Sequence, residues 1–311
     1  MRPVCDRAPA RSRDPGAGRA LPADSGRRTV EGVTSTRTDR WLHLDGTTNT
    51  RDLGGLPTVD GGETVFGRVL RSDNLQDLSE ADVATLVDEV GLTEVIDLRT
   101  TAEVLMEGRS PLRDVDSVTH RHFTLLPERG RRTDVFAAEE DDEQLRAELP
   151  ADWVESLLPR QVAAGDEGEP PAVRSYLGYL TDRTDNVLAA LRTLAAGGPG
   201  AVVVHCAAGK DRTGVVCALA LAVAGVEPEA IIADYAQTAE VIDALVAKLR
   251  THPTYAEDMT RRDVASHTPQ AGSMRRVLEL LDERWGGPIG WLEQHGFDAD
   301  ERAALRARLR V

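Results

Sequence analysis

Residues 201–214 read AVVVHCAAGKDRTG. The apolar, β-branched run Ala201–Val204 stops abruptly at small and polar residues. A short apolar run bounded by turn signals reads as a buried strand. Apolar residues return from Val215 to Val226, a stretch too short to span a membrane. The segment is therefore a strand, a tight loop and a helix expected over Thr213–Ala224.

Each loop residue suits one reaction, attack of a thiolate on a phosphate monoester. Cys206 follows the strand and precedes the helix. A helix N-terminus presents unpaired N–H groups and partial positive charge, and both favour a thiolate over a thiol. Five residues separate Cys206 from Arg212, so the backbone can curl into a cup. The amides of Ala207, Ala208, Gly209, Lys210, Asp211 and Arg212 then face inward as an anion nest. Ala207 and Ala208 are too small to block the cup, and Gly209 can take a positive φ. Arg212 brings a planar fork that matches two phosphate oxygens. Thr213 can donate its hydroxyl to the thiolate and help it leave, and His205 is expected to hold the loop by hydrogen bonds. This chemistry calls for no cofactor and no metal.

The leaving oxygen needs a proton from a nearby acid. Two carboxylates remain as candidates. Asp211 lies inside the cup beside Arg212. Asp97 lies at the end of a central strand, where open α/β sheets place their ligands, although it can also orient Arg99 or Arg212 by an ion pair. Lys210 has two readings: a second cation for a further phosphate group, or a partner of Asp97 or another acid. Cys217, five residues beyond Arg212 on an apolar helix, reads as core.

Outward from this segment, Thr64–Arg71 reads as a strand. Ser79-Glu80-Ala81-Asp82 has the pattern of a capping box, followed by Val83, Leu86, Val87 and Val90 at helical spacing and Gly91 as the stop. Thr93–Leu98 and Thr119–Leu126 are further strands. Val173–Ala196 is expected as one long helix, with Tyr176 and Leu177 on its apolar side. Ile231, Tyr235, Ile242, Leu245 and Leu249 mark another, and Ala271–Trp285 a third. Strands alternating with helices give an α/β fold with a mainly parallel central sheet.

Residues 1–40 are Arg-, Pro- and Gly-rich with few apolar side chains, and read as a disordered tail. Residues from about 128 to 172 carry acidic runs and read as a surface insertion in a single domain over 41–311. With 311 residues at 41% hydrophobic content, the chain can bury a substantial core. Its net charge of −15 excludes general nucleic-acid binding, and a stable membrane anchor is not expected. Three cysteines do not make a disulfide framework. A reducing, cytoplasmic location fits, with export by a route lacking a standard signal also compatible.

The segment HCAAGKDRTG resembles the HC-x5-R-[ST] signature of protein tyrosine phosphatases, in the form used by the atypical bacterial PtpB-like branch. Asn49-Thr50-Arg51-Asp52-Leu53-Gly54-Gly55, Gly67-Arg68-Val69-Leu70-Arg71-Ser72, Asp97-Leu98-Arg99 with Glu103, and Ala233-Asp234-Tyr235 resemble further segments of that branch in order. Thr50 departs from it, since Phe is usual there. The resemblance implies a phosphatase fold, catalysis at Cys206, Arg212 and Asp211, and a helical lid at about 226–290. It also implies phosphotyrosine proteins or phosphoinositides as substrates. Two other readings use a similar cup: an arsenate-reductase-like enzyme, which needs resolving cysteines, and a catalytically impaired phosphotyrosine-binding module. The presence of Cys206, Arg212 and Thr213 argues against the second.

Overall fold

The computed structural model describes residues 39–127, 168–261 and 263–310. The expected tail through residue 38 and the expected insertion from 128 to 167, including the helix that its sequence suggests around Asp152–Val162, lie outside the described residues.

Five strands form one sheet: β1 (Arg51–Asp52), β2 (Val69–Ser72), β3 (Leu92–Asp97), β4 (Thr119–His122) and β5 (Ala201–His205). Their order is β1-β2-β5-β3-β4, and only β1 runs antiparallel to its neighbour. The central strand β5 is buried along its whole length. A parallel strand covered on both faces reads as an unbroken apolar run, which is why AVVV carries no alternation. Val202 and Val204 point into one core layer with Ile96, while Ala201 and Val203 point into the other with Val95.

The first layer is closed by α3 (Pro171–Asp182), α4 (Thr184–Ala196), α5 (Asp211–Ala224), α6 (Pro228–Ala236), α10 (Ala271–Trp285), α11 (Pro288–Gln294) and α12 (Ala299–Leu309). The second is closed by α1 (Glu80–Ala84), which continues in wider turns through Glu89. Its capping box forms as expected: Asp82 N donates to Ser79 Oγ at 3.1 Å and Ser79 N donates to Asp82 Oδ2 at 2.9 Å. Gly91 ends it at φ 72°. Helix α2 (Thr101–Glu107) follows β3, and α7 (Ile242–Leu249), α8 (Ala256–Arg261) and α9 (Val264–His267) follow α6.

Three elements differ from the sequence reading. The strand expected from Thr64 begins only at Val69, because Gly67 sits at φ 73° and turns the chain. The single helix expected over 173–196 breaks at Arg183, with φ −133° and ψ 43°. The break falls in Thr-Asp-Arg-Thr-Asp, where the Thr184 hydroxyl donates to Leu180 O at 2.5 Å and so competes for a helix carbonyl. The helix marked by Ile231 to Leu249 is interrupted by a 3-10 turn at Gln237–Val241. There Thr238 is drawn into the interior, accepting from Asn49 Nδ2 at 3.1 Å and Arg51 Nη2 at 3.2 Å.

Strands β2, β3 and β5 end level, with Ser72 and Asp97 both in register with His205. Cys206 thus leaves the sheet at its carboxyl edge, beside the loops that follow β2 and β3. Ile96, fully buried at the centre of this sheet, tests the core. Ile96→Ala is expected to lose about 2–5 kcal/mol, read as a lower urea midpoint than that of the unmodified protein.

Candidate active site

The loop between β5 and α5 is shaped by what holds its carbonyls. Ala207 O accepts from Asn74 N at 3.0 Å. Ala208 O accepts from Asn49 Nδ2 at 2.8 Å, and Gly209 O accepts from Arg71 Nη2 at 2.6 Å. No peptide among the described residues is cis. In a trans peptide the carbonyl and the following N–H point opposite ways. The amides of Ala208, Gly209 and Lys210 therefore turn away from those donors, into the cup. Gly209 has φ 62°, and a Cβ there would lie 2.4 Å from Ser72 O. Both facts demand glycine.

The donors are fixed from behind. Arg71 and Arg51 are fully buried around Asp234, which Arg71 Nη1 reaches at 2.5 Å and Arg51 Nε at 3.4 Å, with Arg40 as a third partner. Burial opposes ionisation of Asp234, but Arg71, Arg51 and Arg40 hold its carboxyl well below the usual range. Burial and the neighbouring Arg71 bring Arg51 down to about 9 against the pull of Asp234. Buried charge survives only when paired in this way. Thr50, the departure from the branch pattern, fills its buried place with hydroxyl bonds of 2.6 Å to Thr47 Oγ1 and Ser72 Oγ.

Cys206, 2% exposed, lies on the wall of a cavity of about 310 Å³ with Arg212, Lys210, Asp211 and Tyr179. Arg212 makes a bidentate pair with Glu103, Nη1 to Oε2 at 2.6 Å and Nη2 to Oε1 at 2.7 Å. Burial opposes both charges, yet each partner holds the other ionised: Arg212 is raised well above its ordinary value and Glu103 lowered to about 2. Glu103 is itself fixed by Thr100 N at 2.7 Å at the start of α2. Thr213 is fully buried, and its hydroxyl has no hydrogen-bond partner among the described residues, so the expected bond to Cys206 is not formed here.

The two candidate acids part company. Asp211, the first residue of α5, lines the Cys206 cavity and accepts a hydrogen bond from Tyr176. Asp97 lines a separate, water-sized cavity with His120 and His122. Its carboxylate takes Arg99 Nε at 2.9 Å and Nη2 at 2.5 Å, and His205 Nε2 stands 3.5 Å away. Burial opposes its charge, but Arg99 and His205 keep it well below the usual carboxylate range. A carboxylate that keeps its charge and faces away from the cup is not placed to give a proton to a leaving group; Asp97 instead anchors Arg99, which reaches Asn74 at 2.7 Å. Lys210 does not pair with Asp97. Its Nζ donates to His267 O at 2.6 Å and lies 3.6 Å from Asp211 Oδ2. Cys217 is buried in the core, and burial pushes its thiol up to about 12.

The segment after α6 roofs the cavity. Ile242, Leu245, Val246 and Leu249 of α7 form an apolar cluster packed on Ala208, Tyr255, Met259 and Val264. Polar bonds hold it to the body: Lys248 Nζ to Asp73 Oδ2 at 3.1 Å, His252 to Glu107 and to Asp77 at 3.0 Å, and the Tyr255 hydroxyl to Glu103 Oε1 at 3.0 Å.

A mainly parallel sheet whose central strand feeds an amide-lined cup, with a thiol and an arginine on its wall, defines a phosphatase of the tyrosine-phosphatase fold. The chain belongs to the tyrosine phosphatase family, which it matches over residues 42–311. It is a protein-tyrosine phosphatase. It is 31% identical over 218 residues to the triple specificity protein phosphatase PtpB of Mycobacterium tuberculosis, covering 66% of this chain and 72% of that one. It is also 31% identical over 140 residues to a tyrosine-protein phosphatase of Nostoc commune, covering 43% of this chain and 48% of that one. No helix among the described residues is long and apolar enough to cross a membrane.

Sequence reasoning assigned no task to Asn49, Arg71, Asn74 or Glu103, and read Tyr176 and Tyr235 as apolar helix faces. Asn49, Arg71 and Glu103 stand inside the segments that resemble the PtpB-like branch, which was their signal. Tyr176 and Tyr235 sit at core spacing, and nothing in periodicity separates a phenol used for packing from one used for its hydroxyl. His205 gives a pH test. Burial, opposed by Asp97, lowers it to about 4 from an ordinary 6.5. The unfolded chain takes a proton that folded His205 refuses, so stability falls as pH drops from about 6.5 to about 4 and His205 adds no further loss below that. His205→Asn is expected to flatten this part of a urea-midpoint profile relative to the unmodified protein.

Proposed function

We propose that this phosphatase hydrolyses phosphotyrosine in proteins through a phosphocysteine intermediate on Cys206. The three outward-held carbonyls support this most directly, since they turn the loop amides toward one phosphate site beside the thiol. The Cys206 thiolate attacks phosphorus while Arg212 and the amides of Ala207 to Arg212 bind the non-bridging oxygens. The bond from phosphorus to the leaving oxygen breaks, and Asp211 gives that oxygen its proton. Water then attacks the phosphocysteine, Asp211 takes a proton from it, and the thiolate leaves with Thr213 as hydrogen-bond donor. Phosphate and a free phenol are the products.

An aryl phosphate suits the cavity because Ile242, Leu245 and Val246 make one side of its roof apolar, beside the polar Asp258, Ser266 and His267. Ile242, Leu245, Val246 and Met259 can cover a phenyl ring but offer no partner to the hydroxyls of an inositol headgroup. Lys210 on the same wall favours phosphoinositides as a second substrate class, in keeping with a place in the PtpB-like branch. The relative named as a triple specificity phosphatase and the collinear motifs support that place. Two buried free thiols, Cys206 and Cys217, suit a reducing compartment.

Cys206→Ser is expected to remove more than 95% of turnover while retaining phosphopeptide binding, and Arg212→Lys to lower kcat/KM by at least about 100-fold, because an ammonium cannot make the forked contact. Steady-state kinetics on a phosphotyrosine peptide, a phosphoserine peptide and phosphoinositides measures both the variants and the substrate order. Near-normal turnover by either variant would remove the cup as the site.

Helices α7–α9 act as a lid in this reading, since a protein-borne phosphotyrosine cannot reach a thiol that is 2% exposed. Lys248→Ala together with His252→Ala, which cut the roof from Asp73, Asp77 and Glu107, is expected to speed peroxide inactivation several-fold and raise hydrogen exchange around residues 206–212. Unchanged rates in a folded variant would make these helices fixed packing.

A further inference from the structure

Asp211 occupies the first turn of α5 with its side chain 35% exposed, where a short carboxylate has several rotamers open to it. One oxygen is tied down. Tyr176, on α3 and 1% exposed, donates its hydroxyl to Asp211 Oδ1. The Tyr176 and Tyr235 hydroxyl oxygens lie 2.7 Å apart, and Tyr235, on α6, is 2% exposed. A phenol has one proton to give. With that of Tyr176 spent on Asp211, Tyr235 must be the donor to Tyr176. The chain thus runs one way, Tyr235 to Tyr176 to Asp211. Burial pushes both phenols far above their ordinary range, with the Asp211 charge acting in the same sense, so both stay protonated donors.

The packing makes room for this chain. The two rings meet edge to face, with centroids 6.0 Å apart at 74°. A Cβ on Gly214, one turn beyond Asp211 on α5, would lie 2.9 Å from Tyr235 Cδ2. The last glycine of the GKDRTG run therefore admits the ring that backs the acid in the same run.

We propose that Tyr176, with Tyr235 behind it, is a positioning residue for proton transfer by Asp211. The proposal rests on Asp211 being the acid, as argued above. The hydroxyl of Tyr176 occupies Oδ1 and fixes the carboxyl plane, which leaves Oδ2 to carry the proton given to the leaving oxygen. Oδ2 lies 3.6 Å from the ammonium of Lys210, which lines the Cys206 cavity together with Asp211. A phenylalanine at 176 keeps the ring packing and frees the carboxylate to rotate, and misplacement of a catalytic group by about 1 Å costs rate on the order of 100-fold or less.

The test compares phenyl phosphate, whose phenol leaves poorly, with p-nitrophenyl phosphate, whose phenol leaves well without a proton. Tyr176→Phe is expected to lower kcat for phenyl phosphate about tenfold and for p-nitrophenyl phosphate less than threefold, with KM within twofold. Tyr235→Phe is expected to change kcat in the same sense by a smaller factor, and it carries the test if Tyr176→Phe does not fold. In an Asp211→Asn background Tyr176→Phe is expected to add no further loss, because its effect passes through that carboxyl. Equal losses for both substrates, a change in KM alone, or a full Tyr176→Phe effect persisting beside Asp211→Asn would overturn the proposal. Asp211→Asn alone separates the two claims. If it shows no dependence on the leaving group, the acid assignment fails and the positioning role falls with it. If it does show the dependence and Tyr176→Phe does not, the positioning role alone fails.

Discussion

The hydrogen bond from Arg71 to Gly209 O is the constraint on which the site depends. Left alone, the loop between β5 and α5 has no reason to aim its amides at one point. Arg71 pulls the Gly209 carbonyl outward while Asn49 and the Asn74 amide do the same for its two predecessors. Each carbonyl drawn out sends an N–H inward, so three contacts outside the cup determine the electrostatics within it. Arg71 can do this only because Asp234 neutralises part of the charge buried with it. The residues that shape the cup are thus mostly not those that line it.

The same logic recurs at Arg212. Its guanidinium is aimed by Glu103, whose place is set by the first turn of α2 and whose Oε1 also receives the Tyr255 hydroxyl from the roof. One carboxylate therefore touches both Arg212 and the roof segment. Tyr176 and Asp211 repeat the pattern, a cavity-facing group aimed by a buried one. In each case a flexible side chain with a chemical task is held by a rigid partner on another element.

The roof and floor of the cavity differ in kind. The floor carries the loop amides with Lys210, Arg212 and the carboxylates of Asp211 and Glu103; the α7 part of the roof is branched aliphatic side chains that pack against Ala208. This asymmetry favours a substrate with a charged end and a flat apolar end. Burial of Leu245, Val246 and Leu249 in that packing holds α7 in place.

The sequence by itself determined the strand–loop–helix segment, the glycine at 209, the capping box at Ser79 and the length of α10, because these depend on near neighbours in the chain. Cys206, Arg212 and Asp211 were legible for the same reason: they lie within six residues of each other. The break at Arg183 and the turn at Gln237–Val241 were not read correctly, since competing side-chain bonds, in the second case to distant Asn49 and Arg51, outweighed a continuous helical pattern. Only the tertiary structure separates the surroundings of Asp211 from those of Asp97. Both are carboxylates at the carboxyl edge of a parallel sheet, and sequence cannot tell which way a side chain turns. Asp97 turns toward Arg99 and His205 and stays charged, while Asp211 turns into the cavity under the hydroxyl of Tyr176, a residue 35 positions away. Long-range pairing of charge and hydrogen bonds made that choice, and no local pattern encodes it.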